Sequence, residues 1–249
     1  MKKIKHFTLF LVILGSLFFL FGPEVIPENS QFQEFSNLTN KDIIVIFNSG
    51  GWGNTPLEKA EDFTPIIKGI QETLNNLGYN SVVIPYIRTK DSLLGKISGA
   101  RDFFNSFQSS SEALAEKVEI LTNNFPDKKI IITGLSSGGA LVEETMEKIP
   151  VKAQNSVCAI TAGTPFWSKT FGLNNALQLD NNRKDSLAVG EKKALIFTLL
   201  KAPFKWISLK INGQNLTLSQ SFQAPGHNYH WSSPEVGPQI VTFLKNRLR

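Results

Sequence analysis

The chain has one cysteine, three histidines and no acidic residue before Glu24. A lone Cys158 excludes an internal disulfide framework, and its mostly apolar setting, Ser156-Val157-Cys158-Ala159-Ile160, reads as a small packed core residue. No cluster of Cys and His at ligand spacing occurs, which argues against a structural zinc site. Any chemistry that needs an imidazole can draw only on His6, His227 or His230. Also missing is a basic stripe interleaved with aromatics, so nucleic acid is not an expected partner. The formal charge of +5 is concentrated at one end: without Lys2, Lys3 and Lys5, 23 basic residues face 21 acidic ones.

What the chain does contain fits one globular α/β domain, since 249 residues at 41% apolar content can bury a sizeable core. The exception is the N-terminus. Residues 1–6 are basic, and residues 7–22 form an uncharged, almost wholly apolar run that ends at Pro23 and Glu24. This has the form of an export signal, long for a cleaved one, short for a comfortable membrane span, and without a clear cleavage site. It reads as an N-terminal apolar helix, either a retained signal anchor or a removed signal peptide. In both cases the basic end stays in the cytoplasm and the rest crosses the membrane. Residues 23–41, polar and aperiodic, read as a tether, leaving 42–249 for the domain.

Within that domain strands and helices alternate. Apolar runs at 43–47, 81–86, 129–133 and 155–162 read as strands, and the first is apolar on both faces, as in a central parallel position. Thr55-Pro56-Leu57-Glu58 combines an N-cap, a proline at the first helical position and a capping-box acid, predicting a helix from there to Leu77. Further helices are expected at 91–105, 110–124, after 136 to Lys148, and over 191–201. Residues 163–190 show little period and read as the start of an excursion over the sheet's carboxyl edge, reaching to about 206. Residues 204–211 and 216–223 read as late strands. A last helix from Ser233-Pro234-Glu235 carries an apolar stripe of Val236, Ile240, Phe243 and Leu244. The expected class is a mainly parallel sheet flanked by helices.

The most informative stretch is Lys129-Ile130-Ile131-Ile132-Thr133-Gly134-Leu135-Ser136-Ser137-Gly138-Gly139-Ala140. A β-branched strand breaks into G-x-S-x-G and then into a helix former, the signature of a sharp strand-turn-helix that lifts Ser136 clear of the backbone. Gly134 and Gly138 leave the room that the turn needs. A serine nucleophile needs a base and a group to orient it.

The order of this elbow after Asn48-Ser49-Gly50-Gly51-Trp52-Gly53 and before Gly226-His227 and a C-terminal helix is similar to the α/β-hydrolase superfamily over roughly residues 42–247. The resemblance implies an α/β-hydrolase-type fold and the base at His227 rather than His230. It also implies an oxyanion hole from the N–H of Ser137 with Gly50 or Gly51. The acid departs from the pattern, because the expected late strand ends in Asn212-Gly213-Gln214-Asn215 with no carboxylate. Asp180 is the first choice, with Asp185 and Glu191 as alternatives, Asn212 as an uncharged one, or no third member at all. Trp52, Tyr229 and Trp231 are expected as aromatic walls of the site. Phe166, Trp167, Phe171, Phe204 and Trp206 suggest either an acyl pocket, a lipid-facing surface or plain core.

The expected function is an exported, membrane-anchored or secreted serine hydrolase acting on a small-molecule or lipid ester, with no metal or organic cofactor. An acyltransferase using the same serine, and an inert hydrolase fold used for binding at the envelope, are the alternatives.

Overall fold

The computed structural model describes residues 38–168, 174–194 and 224–248, with Ser16, Lys201, Phe204, Ile207, Ser208, Ile211 and Asn212. The expected apolar helix at 7–22 therefore lies outside the described residues apart from Ser16. Among the described residues no helix is long and apolar enough to cross a membrane.

In chain order the elements are β1 (Ile43–Asn48), a single 3-10 turn (Leu57–Lys59), α1 (Thr64–Asn76), β2 (Ser81–Tyr86), α2 (Leu93–Phe104) and α3 (Gln108–Asn124). Then come β3 (Lys129–Leu135), α4 (Ser137–Lys148), α5 (Val151–Gln154), β4 (Val157–Ala162) and a 3-10 turn (Phe166–Ser168). β5 (Ala176–Leu179), α6 (Ser186–Val189) and α7 (Gly237–Arg247) complete them. The strands form one five-stranded sheet in the order β2-β1-β3-β4-β5, with every pairing parallel. The expectation of a parallel sheet flanked by helices is met.

Burial follows the order of the strands. β1 and β4 are buried at every residue, and β3 at all but Lys129, as strands covered on both faces must be. Alternate side chains feed two cores. Ile44, Ile46, Ile130 and Ile132 meet Leu114 and Val118 of α3 and Leu141 of α4 on one face. Ile43, Val45, Phe47 and Ile131 meet Ile66, Ile70 and Leu74 of α1 with Ile240 and Leu244 of α7 on the other. Each such fully buried aliphatic side chain contributes about 1.5–3 kcal/mol.

This winding positions the site. After β1 the chain crosses to the α1 face, and after β3 it crosses to the α4 face, so the connections part between these neighbours and leave a crevice at their carboxyl ends. The register keeps those ends level: Asn48 pairs with Gly134, Leu135 with Ala162, and Ala162 with Leu179.

Four elements differ from expectation. The helix predicted from Thr55 begins at Thr64 instead, preceded by the 3-10 turn at Leu57–Lys59 and a further turn at residues 61–63. Pro56 is extended (φ −66°, ψ 157°) with no side-chain cap, and Ala60 and Phe63 turn into the core; the burial of those two outweighs the local start signal. Residues 163–190 are not irregular throughout, since β5 and α6 lie within them. Phe204, Ile207, Ser208 and Ile211, expected in a strand, are helical, and the spacing of Phe204, Ile207 and Ile211 fits a helical period at least as well. The strand expected at 216–223 falls outside the described residues, as does the middle of the helix expected over 191–201. α7 starts at Gly237 rather than at Pro234, and its stripe is buried at Val236, Ile240 and Leu244 as expected.

Candidate active site

Ser136 sits at the end of β3 with φ 54° and ψ −119°, a conformation that costs a non-glycine residue about 1–3 kcal/mol and persists only where its surroundings enforce it. They do so by close backbone packing. A Cβ on Gly134 would lie 2.3 Å from the Gly138 carbonyl oxygen, and one on Gly138 would lie 2.5 Å from that of Asn48. Both glycines of G-x-S-x-G are therefore demanded by contacts between β3, α4 and the exit of β1. The Ser136 N–H donates to the Ala162 carbonyl (2.8 Å), tying the elbow to the end of β4.

The residue after Ala162, Gly163, is where the imidazole packs. With φ +61°, its added Cβ would stand 2.4 Å from Cε1 of His227 and 3.0 Å from Oδ2 of Asp185. His227 Nδ1 lies 2.8 Å from that same oxygen, and an ionised carboxylate there takes the proton-bearing ring nitrogen. Of the two histidines in the domain, His227 is the one held by a carboxylate, whereas His230 is exposed.

The carboxylate on His227 belongs to Asp185, not to Asp180. Asp180 closes β5 and accepts from the Arg183 N–H within its own turn (3.0 Å). Asn181, Asn182 and Arg183 then run at positive φ, carrying the chain to Asp185, which is fully buried. Asp185 uses both oxygens. Oδ1 accepts from the N–H groups of Leu187 (2.9 Å) and Ala188 (3.2 Å) as the N-cap of α6, and Oδ2 takes His227 and the Tyr229 hydroxyl (2.6 Å). Burial pushes the Asp185 carboxyl up, but the hydrogen bond and charge of His227, with the bonds from Tyr229 and Ala188, hold it below the usual carboxylate range. An aspartate before a helix-forming Ser-Leu-Ala run was the sequence signal for this cap.

The two loops that carry acid and base are knitted together. Ser186 donates to the Pro225 carbonyl through its N–H and its hydroxyl (both 3.0 Å), and Asn181 Nδ2 donates to that of Gly226 (2.9 Å).

On the other side of Ser136 lies the glycine loop. A Cβ on Gly50 would be 3.5 Å from the Ser136 Cβ, so this loop is packed against the elbow as expected. Ser137 opens α4, and its hydroxyl donates to the Gly51 carbonyl (2.6 Å). Ser49, which sequence reasoning missed, is buried with a hydroxyl that has no hydrogen-bond partner. Ser49, Gly50, Gly51, Ser136 and His227 all line one cavity of about 760 Å³. Its floor is apolar (Phe47, Phe63, Leu135, Leu187) and its rim polar (Thr55, Lys59, Glu61, Asp62, Asn228). The segment mistaken for a helix, 55–63, is one wall of that cavity.

None of the three expected aromatic walls lines it. Tyr229 is buried with its hydroxyl on Asp185 and the Leu179 carbonyl, and burial followed by the Asp185 charge raises its pKa well above the usual tyrosine range. Trp231 packs over Gly69 of α1, and half-exposed Trp52 lies near Gly99 of α2. Of the remaining aromatics, Phe166 and Trp167 meet edge to face, as do Trp167 and Phe103, Phe204 is exposed, and Phe171 and Trp206 lie outside the described residues. Glu143 on α4 is buried and bonded to Thr161 and Gln178, away from the histidine. Among the described residues no group of His, Cys, Asp or Glu converges to hold a metal ion.

The architecture is a five-stranded parallel sheet flanked by helices. No protein-family profile and no curated protein sequence matches the chain. Among solved structures it is similar to an acetylxylan esterase (15% identity, 84% of this chain and 99% of that one, TM-score 0.49). It is also similar to a Trichoderma reesei cutinase in complex with a phosphonate inhibitor (13% identity, 67% and 80%, TM-score 0.43). A third is a cutinase-like protein from Cryptococcus sp. (16% identity, 50% and 54%, TM-score 0.36).

Proposed function

We propose that this chain is a serine hydrolase that cleaves an ester-like bond in a small-molecule or lipid substrate through an acyl-enzyme, on the far side of the membrane from the cytoplasm. The observation that carries the reading is the opening of a strained Ser136 and an Asp185-bound His227 onto one cavity.

In this reading the substrate carbonyl lies between Ser136 and the glycine loop. Ser136 Oγ attacks the carbonyl carbon as His227 Nε2 takes the hydroxyl proton, and Asp185 stabilises the imidazolium that forms. The N–H groups of Ser137 and of Gly50 or Gly51 receive the developing oxyanion. His227 returns its proton to the leaving alcohol. Water then attacks the acyl-enzyme, giving its proton to His227, and Ser136 leaves as the free hydroxyl with release of the acid. A carboxylate on His227 weighs against the inert-scaffold alternative, whose support was the apparent lack of an acid. Export rests on the basic N-terminus and the apolar run at 7–22.

The test is labelling with a fluorophosphonate probe together with hydrolysis of short-chain p-nitrophenyl esters. The wild-type chain is expected to be labelled and active, Ser136→Ala to be unlabelled, and Ser136→Ala and His227→Ala each to lose about 10³-fold or more in kcat. Labelling that survives in Ser136→Ala would move the nucleophile elsewhere.

A further inference from the structure

Three consecutive carbonyls of the glycine loop, those of Gly51, Trp52 and Gly53, all point to one place: the two residues that follow β2 by one position. Arg88 Nη2 donates to the Gly51 carbonyl (2.9 Å), the Thr89 hydroxyl donates to that of Trp52 (2.7 Å), and the Arg88 N–H donates to that of Gly53 (2.8 Å). The same guanidinium reaches across to the elbow. Nη1 donates to the Ser137 carbonyl (3.0 Å) and Nη2 to the Ser137 hydroxyl (3.1 Å), and that hydroxyl in turn donates to Gly51. One side chain thus bridges the two segments expected to provide the oxyanion donors.

This arrangement is built rather than incidental. Arg88 is only 5% exposed, and its guanidinium lies 4.8 Å over the Phe107 ring. Gly53, at φ +72°, exists where any Cβ would strike Arg88, 2.2 Å from Nε. Burial lowers the Arg88 pKa to about 10, opposed by the charge of Asp102 on α2, so the group keeps its charge at neutral pH. A buried charge on backbone carbonyls, with no acid on the loop itself, is costly unless the geometry it enforces is needed. What it enforces is the spacing of loop and elbow, because Gly51 and Ser137, which carry donor N–H groups, are held to one guanidinium by their carbonyls. The Gly53 N–H donates to the Gly50 carbonyl (3.1 Å), and since a peptide is planar and trans this bond also fixes the Gly51 N–H on the opposite side.

We propose that Arg88 is a positioning residue for the oxyanion hole: its fork clamps the loop at Gly50–Gly53 to Ser137 and so sets the separation of the two segments whose N–H groups receive the oxyanion. The proposal rests on the serine-hydrolase reading. Arg88 touches no reacting atom, and its effect is exerted on the transition state alone, because the substrate's neutral carbonyl asks less of those donors than the oxyanion does. A lysine cannot replace it, since a single ammonium offers no planar fork to span two segments.

The experiment compares wild type, Arg88→Lys, Arg88→Gln and Ser137→Ala in the full chain on p-nitrophenyl acetate, and measures affinity for a boronic acid that mimics the tetrahedral adduct. A misplacement of well under 1 Å at the donors predicts a fall in kcat of about 10- to 100-fold for both Arg88 variants. KM should stay within about threefold, and boronate affinity should fall in step with kcat. Ser137→Ala removes only one strut and is expected to show the same pattern at about 3- to 10-fold. It also serves if the Arg88 variants fail to fold. A purely structural role would lower the melting temperature and leave kcat and boronate affinity unchanged in folded protein, which would overturn the clamp. So would full activity in Arg88→Lys, which would assign the effect to charge. If wild type is active and these variants behave like it, the clamp fails while the hydrolase reading stands. If wild type neither hydrolyses esters nor labels at Ser136, the hydrolase reading fails and the clamp falls with it.

Discussion

Asp180 and Asp185 are five residues apart, and the difference between them shows what a single side chain owes to its neighbours. Asp180 caps the turn that follows β5, whereas Asp185 is buried against His227 and Tyr229. Asp185→Asn is expected to lower kcat by about 10²- to 10⁴-fold, as loss of an orienting acid does, and Asp180→Asn to leave ester hydrolysis within about twofold of wild type. Steady-state kinetics on the two variants decides the assignment; the reverse ranking would return the acid to Asp180. A pH dependence follows from the lowered Asp185 pKa. A carboxyl depressed in the folded state adds stability that is present above its unfolded value of about 3.9 and is lost as pH falls from there toward the folded pKa. Thermal melts from pH 6 down to 3 should show a steeper acid loss for wild type than for Asp185→Asn. At this scale the candidate nucleophile was legible because G-x-S-x-G is local, and the candidate base because only three histidines exist. The acid was not legible. Three left-handed residues, Asn181 to Arg183, redirect the chain, and nothing in their side chains announces which carboxylate will be turned inward.

Among the elements, strands were the easiest to read and the segments between them the hardest. β1, β3 and β4 carry unbroken apolar runs because both faces are covered. The segment 55–63 carries a sound local start signal for a helix and nevertheless forms the cavity wall, since Ala60 and Phe63 gain more from burial than the cap offers. Tertiary burial overriding local propensity is the usual cause of such errors. Likewise β5, only four residues long, is too short to show a period. The exit of β4 gives a test of how tightly these pieces are joined. At Gly163 a methyl group would meet the His227 ring and the backbone would be strained at φ +61°. Gly163→Ala should therefore cost about 1–3 kcal/mol of stability and displace the imidazole. Ester hydrolysis by folded Gly163→Ala is expected to fall at least about tenfold. A variant with unchanged kcat would show that the ring does not need its place over Gly163.

At the scale of the whole molecule, the proposed function depends on where the sheet's winding reverses and on where the chain is delivered. β1 and β3 are neighbours whose helices leave to opposite faces, so the glycine loop, the elbow and the end of β4 surround one crevice. Delivery rests on the N-terminal run and is checked independently of the chemistry. With alkaline phosphatase fused after residue 249, the exported orientation predicts active reporter, whereas a fluorescent protein that matures only in the cytoplasm should stay dark at the same junction. The opposite pair of results would place the domain in the cytoplasm.

Sequence alone determined β1 to β4 and the glycine-flanked elbow at Ser136, because each depends on side-chain type at short spacing: β-branched runs for buried strands, glycines beside a strained residue. Only the tertiary structure decided which acid serves the histidine, that Tyr229 is buried behind that acid rather than lining the site, and that Arg88 joins loop to elbow. Those pairings span from 42 to 49 residues of chain, and such distances are closed by the packing of the sheet and its helices, not by any pattern along the strand.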